Sequence, residues 1–279
     1  MDLAELLGKS LALSEEGRWE EVADLLREHL PDHGDEPAVH CWLGVAETEL
    51  GLDGIGYERF RTALGLQPED PLILAVAGSG IAAFDDPDAE SALRAAAMLG
   101  PGVAEARWRY GAYLSREGMI QDALRELEAA RELAPDDPVV LMELGVARAL
   151  GEDWDAAADA FGQAVRLGPE DGWPRMLLGL LELERGALEE AAAELEAGAR
   201  LLPEDVEAQF LASLACGAVG REGLAFELLE RGRIHGEAAD LLLASEVEDR
   251  LDEGAERAAD FLQRELAPGA LRSRLMTRP

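Results

Sequence analysis

Small and apolar residues recur along this chain every 34 residues, and no stretch alternates apolar and polar positions as a β-strand would. Four prolines mark the period, and a fifth, Pro68, stands 33 residues before the first: Pro101, Pro135, Pro169 and Pro203. An alanine lies 12 residues before the proline in four units: Ala89, Ala123, Ala157 and Ala191. A period of this length, with small residues at fixed places and a terminal proline, predicts stacked helix pairs and no sheet.

One unit illustrates how the pattern predicts two helices. Asp137 and Pro138 suit a helix start, because aspartate caps free amides and proline fits the first turn. Gly151 suits its end, and residues 153–167 read as a second helix with small residues on one stripe. A glycine followed by Pro169 then stops that helix, and the same turn recurs in neighbouring units.

These signals predict one array of helix pairs over residues 1–268. The intervals are approximately 3–36, 37–69, 70–103, 104–137, 138–171, 172–205 and 206–236, then a degenerate capping pair at 237–268 and a basic C-terminal tail at 269–279. Pro268 follows Pro203 by 65 residues rather than 68, so the register slips in the last pair. An irregular last pair is typical of a capping repeat.

The repeated motif is Leu-Gly, then Ala-x-x-x-aromatic or Leu, then Pro. It reads Leu144-Gly145, Ala157, Phe161 and Pro169 in one unit, and recurs in full in the unit that ends at Pro203. The unit that ends at Pro135 has Tyr110-Gly111 in place of Leu-Gly, and the unit that ends at Pro68 keeps Leu43-Gly44 and Phe60. On this motif the chain resembles the tetratricopeptide-repeat (TPR) family. The resemblance implies an all-α, right-handed superhelical solenoid of about eight antiparallel helix pairs, with a concave groove that binds peptides. The family's Lys, Arg and Asn clamp for a C-terminal carboxylate is absent, so we expect no recognition of acidic C-terminal peptides.

The charge of the chain narrows the choice of partner. Asp and Glu number 58 against 25 Lys and Arg, which gives a net charge of −33. Nucleic acid is excluded as a direct partner, because binding phosphates needs a basic face. Solubility and a high-salt host are alternative explanations of the acidity. The longest apolar stretch, residues 72–84, is too short to insert in a membrane, and the start lacks a signal-peptide pattern, so we expect a cytoplasmic protein.

A row of large apolar residues on successive first helices is the predicted ligand-binding site. Its members are spaced by 34 residues: Leu74, Trp108, Met142, Met176 and Phe210. The set also includes the residues one helical turn after the last three of these, Val146, Leu180 and Leu214, together with Trp173. The family resemblance places this face in the concave groove. Aromatic and Met side chains are effective anchors for peptides. The alternative is that they fill the space between adjacent first helices.

Catalytic motifs are not apparent, and we expect neither enzymatic activity nor a cofactor. The two cysteines, Cys41 and Cys216, stand in no paired pattern that would suggest a disulfide or zinc ribbon. Three of the four histidines, His29, His33 and His40, lie close to Cys41, and these are the ligand types of zinc and nickel. Their spacing fits no standard metal motif, so a metal-binding protein is a remote alternative.

The sequence therefore predicts a non-catalytic scaffold for protein–protein interaction. It would bind a basic or amphipathic peptide or helix in an apolar groove with acidic rims, which steer the choice of partner. A self-assembling homo-oligomer is the alternative. The tail from Leu271 to Pro279 has three arginines and no acid, so it could dock in the groove of its own or a neighbouring molecule. A disordered end is the simpler interpretation of the same segment.

Overall fold

The computed structural model describes residues 1–277, which form helices joined by short turns and no β-strand. The chain divides into two compact units, with the boundary between Pro135 and Asp136. The first unit contains four helix pairs: α1 (Leu3–Glu15) with α2 (Trp19–His33), α3 (Pro37–Glu49) with α4 (Asp53–Gly65), α5 (Pro71–Ala82) with α6 (Ala89–Leu99), and α7 (Ala104–Arg116) with α8 (Ile120–Leu133).

The second unit contains four further pairs and one additional helix. These are α9 (Pro138–Leu150) with α10 (Trp154–Leu167), α11 (Gly172–Glu184) with α12 (Leu188–Leu201), α13 (Val206–Ala218) with α14 (Glu222–His235), α15 (Asp240–Asp252) with α16 (Ala255–Phe261), a π-helical segment at Leu262–Leu266, and α17 (Ala267–Met276). The predicted all-α class and its eight helix pairs are confirmed for the described residues.

Aspartate caps begin several of the first helices, as the sequence predicts. The Asp137 carboxylate accepts hydrogen bonds from the amides of Val139 at 2.8 Å and Val140 at 3.5 Å, and Pro138 occupies the first turn. A proline is tolerated there because its missing amide would have no partner within the helix. The same kind of cap recurs at equivalent positions: Asp70, Asp171 and Asp205.

A glycine in each central first helix allows the second helix to approach closely. A Cβ atom on Gly145 of α9 would lie 2.5 Å from the ring of Phe161 on α10, closer than van der Waals contact permits. Equivalent contacts join a glycine to a bulky side chain in four other pairs: Gly44 with Phe60, Gly78 with Leu93, Gly111 with Leu127, and Gly179 with Leu195. The repeated Leu-Gly step is therefore a packing requirement.

The second helices bury an alanine stripe and expose their acids. In α10, Ala157 and Ala164 are fully buried beside Phe161, while Asp155 and Asp159 are exposed. A helix with one apolar stripe packs on one side and stays solvated on the other. The excess of acids therefore lies largely on the solvated sides of the pairs.

The last pair departs from the regular pattern at its C-terminal end. Pro268 does not stop a helix there but lies in the first turn of α17, directly after the π-helical segment Leu262–Leu266. The segment predicted as a tail is thus helical from its first residue, Gly269, to Met276. Its last two residues, 278 and 279, lie outside the described part of the chain.

Replacing Gly145 with alanine tests the close approach of α9 and α10. We expect Gly145→Ala to lower the free energy of unfolding by about 1–2 kcal/mol, since the overpacking of Phe161 exceeds the helix propensity that alanine gains. Gly162→Ala is the matched control, because its nearest neighbour, the Arg166 side chain, is 3.6 Å away. The control should be neutral or slightly stabilising in urea unfolding followed by circular dichroism. Equal effects of both changes would contradict this packing role.

Candidate functional site

Most members of the predicted row are buried in the core of the second unit. Met142, Met176 and Phe210 are at most 1% exposed. Met176 packs toward α12, where a Cβ on Gly198 would lie 2.7 Å from its Sδ, and the ring of Phe210 packs against Gly232 of α14. Three further members lie in the same core: Val146, Leu180 and Leu214. Packing in the core of the second unit accounts for the burial of these six side chains.

Leu74 lies on a different side of its helix from the one that the sequence predicts. Its side chain lines a cavity of roughly 350 Å³ between α4, α5 and α6, together with Leu64 and Ala95. The reason is a one-residue shortening of that repeat. Gly78 makes the close contact in α5 that Gly111 makes in α7, and these glycines are 33 residues apart rather than 34. The residue 34 positions before Trp108, Leu74, is therefore one residue out of register with Trp108 and lies on a different side of its helix.

The two tryptophans of the row are only half-buried. Trp108, in α7 of the first unit, carries the guanidinium of Arg109 at 4.6 Å from its ring centroid. Glu105, one turn earlier, pairs with that guanidinium at 2.8 Å. Trp173, at the start of α11 in the second unit, lies beneath another guanidinium, that of Arg274, at 4.9 Å. Both rings thus hold a cation on one face.

The C-terminal helix lies against the first helices of the second unit. α17 contacts α11 and α9 as well as the π-helical segment that precedes it. Its buried residues recur at helical spacing along one side: Ala267, Ala270, Leu271, Arg274 and Leu275. Arg272, Ser273 and Met276 are exposed on the other side. α17 is therefore an amphipathic helix whose buried stripe includes an arginine.

Arg274 is the most unusual member of that stripe, because it is only 3% exposed. Its Nη2 donates to both carboxylate oxygens of Asp205, at 2.9 and 2.8 Å, and its Nε donates to Glu207 at 3.0 Å. Trp173 covers one face of the guanidinium. Nη1 is buried and has no hydrogen-bond partner among residues 1–277. We call Trp173, Asp205, Glu207 and the adjoining surface of α9 and α11 the α17 site.

The first unit has an apolar pocket that the sequence reasoning did not single out. It has a volume of roughly 210 Å³ and lies between α1, α2 and α3, where it is lined by Leu7, Leu11, Trp19, Val22 and Trp42, with Gly8, Ser10 and Ser14. Leu11 is 54% exposed, which is high for a leucine in a helix pair. The sequence pattern that could have located this pocket is the row of apolar residues on the first helices, because Leu7 and Leu11 occupy equivalent positions on α1.

The histidines near Cys41 are held apart by separate backbone partners. His29 Nδ1 lies 2.9 Å from the carbonyl oxygen of Leu25 and His40 Nε2 lies 2.9 Å from that of Gly34, both close in sequence. His33 Nε2 lies 3.1 Å from the carbonyl oxygen of Met1, so this ring contacts the start of the chain. No group of three or more His, Cys, Asp or Glu within residues 1–277 is placed to hold a metal ion. The structure therefore does not bring His29, His33, His40 and Cys41 together as a set of metal ligands.

Burial also makes both thiols poor nucleophiles and poor ligands. Desolvation raises the pKa of Cys41 to about 12 and that of Cys216 to about 11. The Cys41 thiol is directed at the carbonyl oxygen of Ile73, with a sulfur–oxygen distance of 3.9 Å. Each cysteine is completely buried and is a free thiol.

Comparison with known proteins identifies the fold. No family model matches the sequence, and no curated protein matches it. Among solved structures, a chain of the APC/C hetero-tetramer Cut9-Hcn1 is similar with a TM-score of 0.70 and 19% identity over 87% of this chain. That match spans 48% of the other chain, so this chain corresponds to about half of it.

Two further solved structures are similar over nearly their full length. Pseudomonas aeruginosa PilF has a TM-score of 0.59 and 18% identity, covering 75% of this chain and 97% of its own. PilW, a type IV pilus biogenesis factor, has a TM-score of 0.60 and 15% identity, covering 72% of this chain and 94% of its own. These neighbours are TPR proteins, and the chain has the TPR fold. No helix of residues 1–277 is long and apolar enough to span a bilayer.

The raised pKa values predict that neither thiol reacts in the folded protein. At pH 8 only about one Cys41 in 10⁴ and one Cys216 in 10³ would be thiolate, and both are shielded from reagent. We expect Ellman's reagent to modify neither residue at pH 8, and to modify both within minutes in guanidinium chloride. Rapid modification of the native protein at this pH would show that one thiol is accessible and its pKa not raised.

Proposed function

We propose that this chain is a non-catalytic scaffold that binds a basic or amphipathic segment of another protein. The observation that carries the proposal is the binding of α17 by the second unit. There the first helices already hold an amphipathic, arginine-bearing helix through apolar contacts, two carboxylates and the Trp173 ring. The net charge of −33 favours partners of the same basic kind.

The first unit offers the apolar surface for such a partner. The pocket between α1, α2 and α3 presents Leu11 and Trp42 to an incoming side chain, and Trp108 of α7 is half-buried. Exposed acids end the nearby helices, Glu15 on α1 and Glu49 on α3. Apolar anchors with acids at nearby helix ends suit a helix with one apolar stripe and basic flanks. We assign the ligand contact predicted for the row to Trp108 in this unit.

Self-assembly is the second candidate function, and one observation favours it. Three large apolar side chains, in the last turn of α14 and the first turn of α15, are exposed: Ile234, Leu241 and Leu242. Exposed apolar groups in one region often mark an interface. Molar mass measured by light scattering at two protein concentrations separates this candidate from a monomeric scaffold.

Selection from a library of displayed 16-residue peptides tests the scaffold proposal. We expect the full chain to enrich amphipathic peptides rich in Arg and Lys, with little enrichment of acidic peptides. Binding of a synthetic enriched peptide should weaken steeply between 50 and 500 mM NaCl, since salt screens the attraction between the acids and the peptide.

Two point variants locate the binding surface for that peptide. Trp108→Asp should weaken binding at least tenfold, because the change removes an aromatic anchor and puts a carboxylate in its place. Met98→Asp is the matched control, since Met98 is 75% exposed on the second helix α6. The control should bind like the wild type, and both variants should keep their helicity. Equal loss in both variants, or no enriched basic peptide, would contradict the proposal.

A further inference from the structure

The burial of Arg274 is the observation that calls for an explanation beyond packing. A guanidinium taken out of water loses its hydration, and the loss is offset only where every donor finds a partner. In α17, Nε and Nη2 are paired with Asp205 and Glu207, but Nη1 is buried without a partner among residues 1–277. The attachment of α17 is therefore specific for arginine but not optimal.

The position of α17 allows it to leave without dismantling a helix pair. It is the last described helix, and it follows a π-helical segment instead of completing a pair with a partner helix. Its ten residues continue from α16 through the π-helical segment without a break, so the π-helical segment is where α17 would bend away, and a stretch of this length depends for its order on the surface beneath it. Release of α17 would uncover Trp173 and free the carboxylates of Asp205 and Glu207.

The charge of α17 indicates which kind of helix would occupy the α17 site after its release. Between Ala267 and Thr277 the chain has two arginines and no acid, in a protein with 58 acids. Arg274 alone enters the α17 site, whereas Arg272 is exposed on the opposite side. The site thus selects a single arginine placed on an apolar stripe rather than general basic charge.

We propose that the α17 site is a second binding site, which takes an arginine-bearing amphipathic helix of a partner protein in exchange for α17. The proposal rests on the proposed function and adds its regulation, since α17 acts as a competing internal ligand. The partner helix carries small or apolar residues seven, four and three positions before its arginine and one position after it, as α17 does. Its apparent affinity is reduced by the fraction of molecules in which α17 remains bound.

Charge reversal in α17 opens the site while leaving the site itself intact. The probe is a fluorescent synthetic peptide with the sequence of residues 262–279, and its binding to the full chain is followed by anisotropy. We expect Arg274→Glu to bind the probe at least tenfold more tightly than the wild type, because Asp205 and Glu207 would repel the carboxylate introduced into α17.

Two further variants identify the cause of that gain. Arg272→Glu makes the same charge change on the exposed side of α17 and should bind the probe as the wild type does. Arg274→Glu combined with Glu207→Arg should return to weak binding. The exchanged charges would hold α17 in its site, and the arginine introduced on α13 would repel the arginine of the probe. A probe that itself carries Arg274→Glu should bind neither the wild type nor the Arg274→Glu variant, because Asp205 and Glu207 would repel it.

Hydrogen exchange of the wild type keeps the proposal testable if Arg274→Glu does not fold. Backbone amides of α17 should exchange faster than those of α11 and α13, because α17 detaches without unfolding of the unit. Equal protection in the three helices would overturn the proposal. So would a well-folded Arg274→Glu variant that binds the probe no better than Arg272→Glu does.

Mass in solution separates a partner protein from a second copy of this chain. A wild-type dimer that forms with increasing concentration and is dissociated by Arg274→Glu would assign the site to the α17 of another copy and overturn the proposal. Failure of the helix exchange at the α17 site is distinct from failure of the scaffold function. Binding of a library-selected peptide through Trp108 would leave the scaffold function intact even if the α17 site never exchanges its helix.

Discussion

The fold depends on close contacts between a small residue on one helix of a pair and a bulky side chain on the other helix. Gly145 against Phe161 is the clearest case, because any side chain on the glycine would overlap the ring. This contact fixes the distance between the helices and draws the alanine stripe of α10 into the core. In neighbouring pairs, Met176 and Phe210 fill the space beside a glycine of the second helix, Gly198 and Gly232.

That constraint explains which parts of the structure could be predicted from the sequence. The 34-residue period follows from repeated packing, so helix pairs, aspartate caps and proline turns could all be located. The caps at Asp137 and Asp205 follow from local chemistry alone. The side on which Leu74 lies could not be predicted from the period, since one missing residue rotates the register by about 100°.

The candidate site was less accessible to sequence reasoning, because exposure depends on what lies above a surface. Spacing placed Met142, Trp173 and Phe210 on equivalent helices, but spacing cannot show that packing buries two of them. The C-terminal tail was recognisable as basic. Its conversion into a helix with a buried Arg274 depends on Asp205 and Glu207, which lie 69 and 67 residues earlier in the sequence.

Arginines in this acidic chain tie helices together where they are buried or half-buried. Glu47 of α3 is almost fully buried and is held by Arg27 of α2 at 3.0 Å and Arg59 of α4 at 3.3 Å. Because most exposed ion pairs contribute little to stability, the partly buried ones matter most for the arrangement of helices. The α17 site uses the same type of contact, and its arginine comes from a terminal helix instead of a core pair.

The Asp205 carboxylate in the α17 site both caps helix α13 and binds Arg274 of α17. Asp205 Oδ1 accepts a hydrogen bond from the Ala208 amide at 2.9 Å, which starts α13, and another from Arg274 at 2.9 Å. When the guanidinium withdraws, that oxygen keeps a single donor, and the electron density around the Ala208 proton changes. The amide resonance of Ala208 is therefore a native spectroscopic reporter on whether α17 is bound.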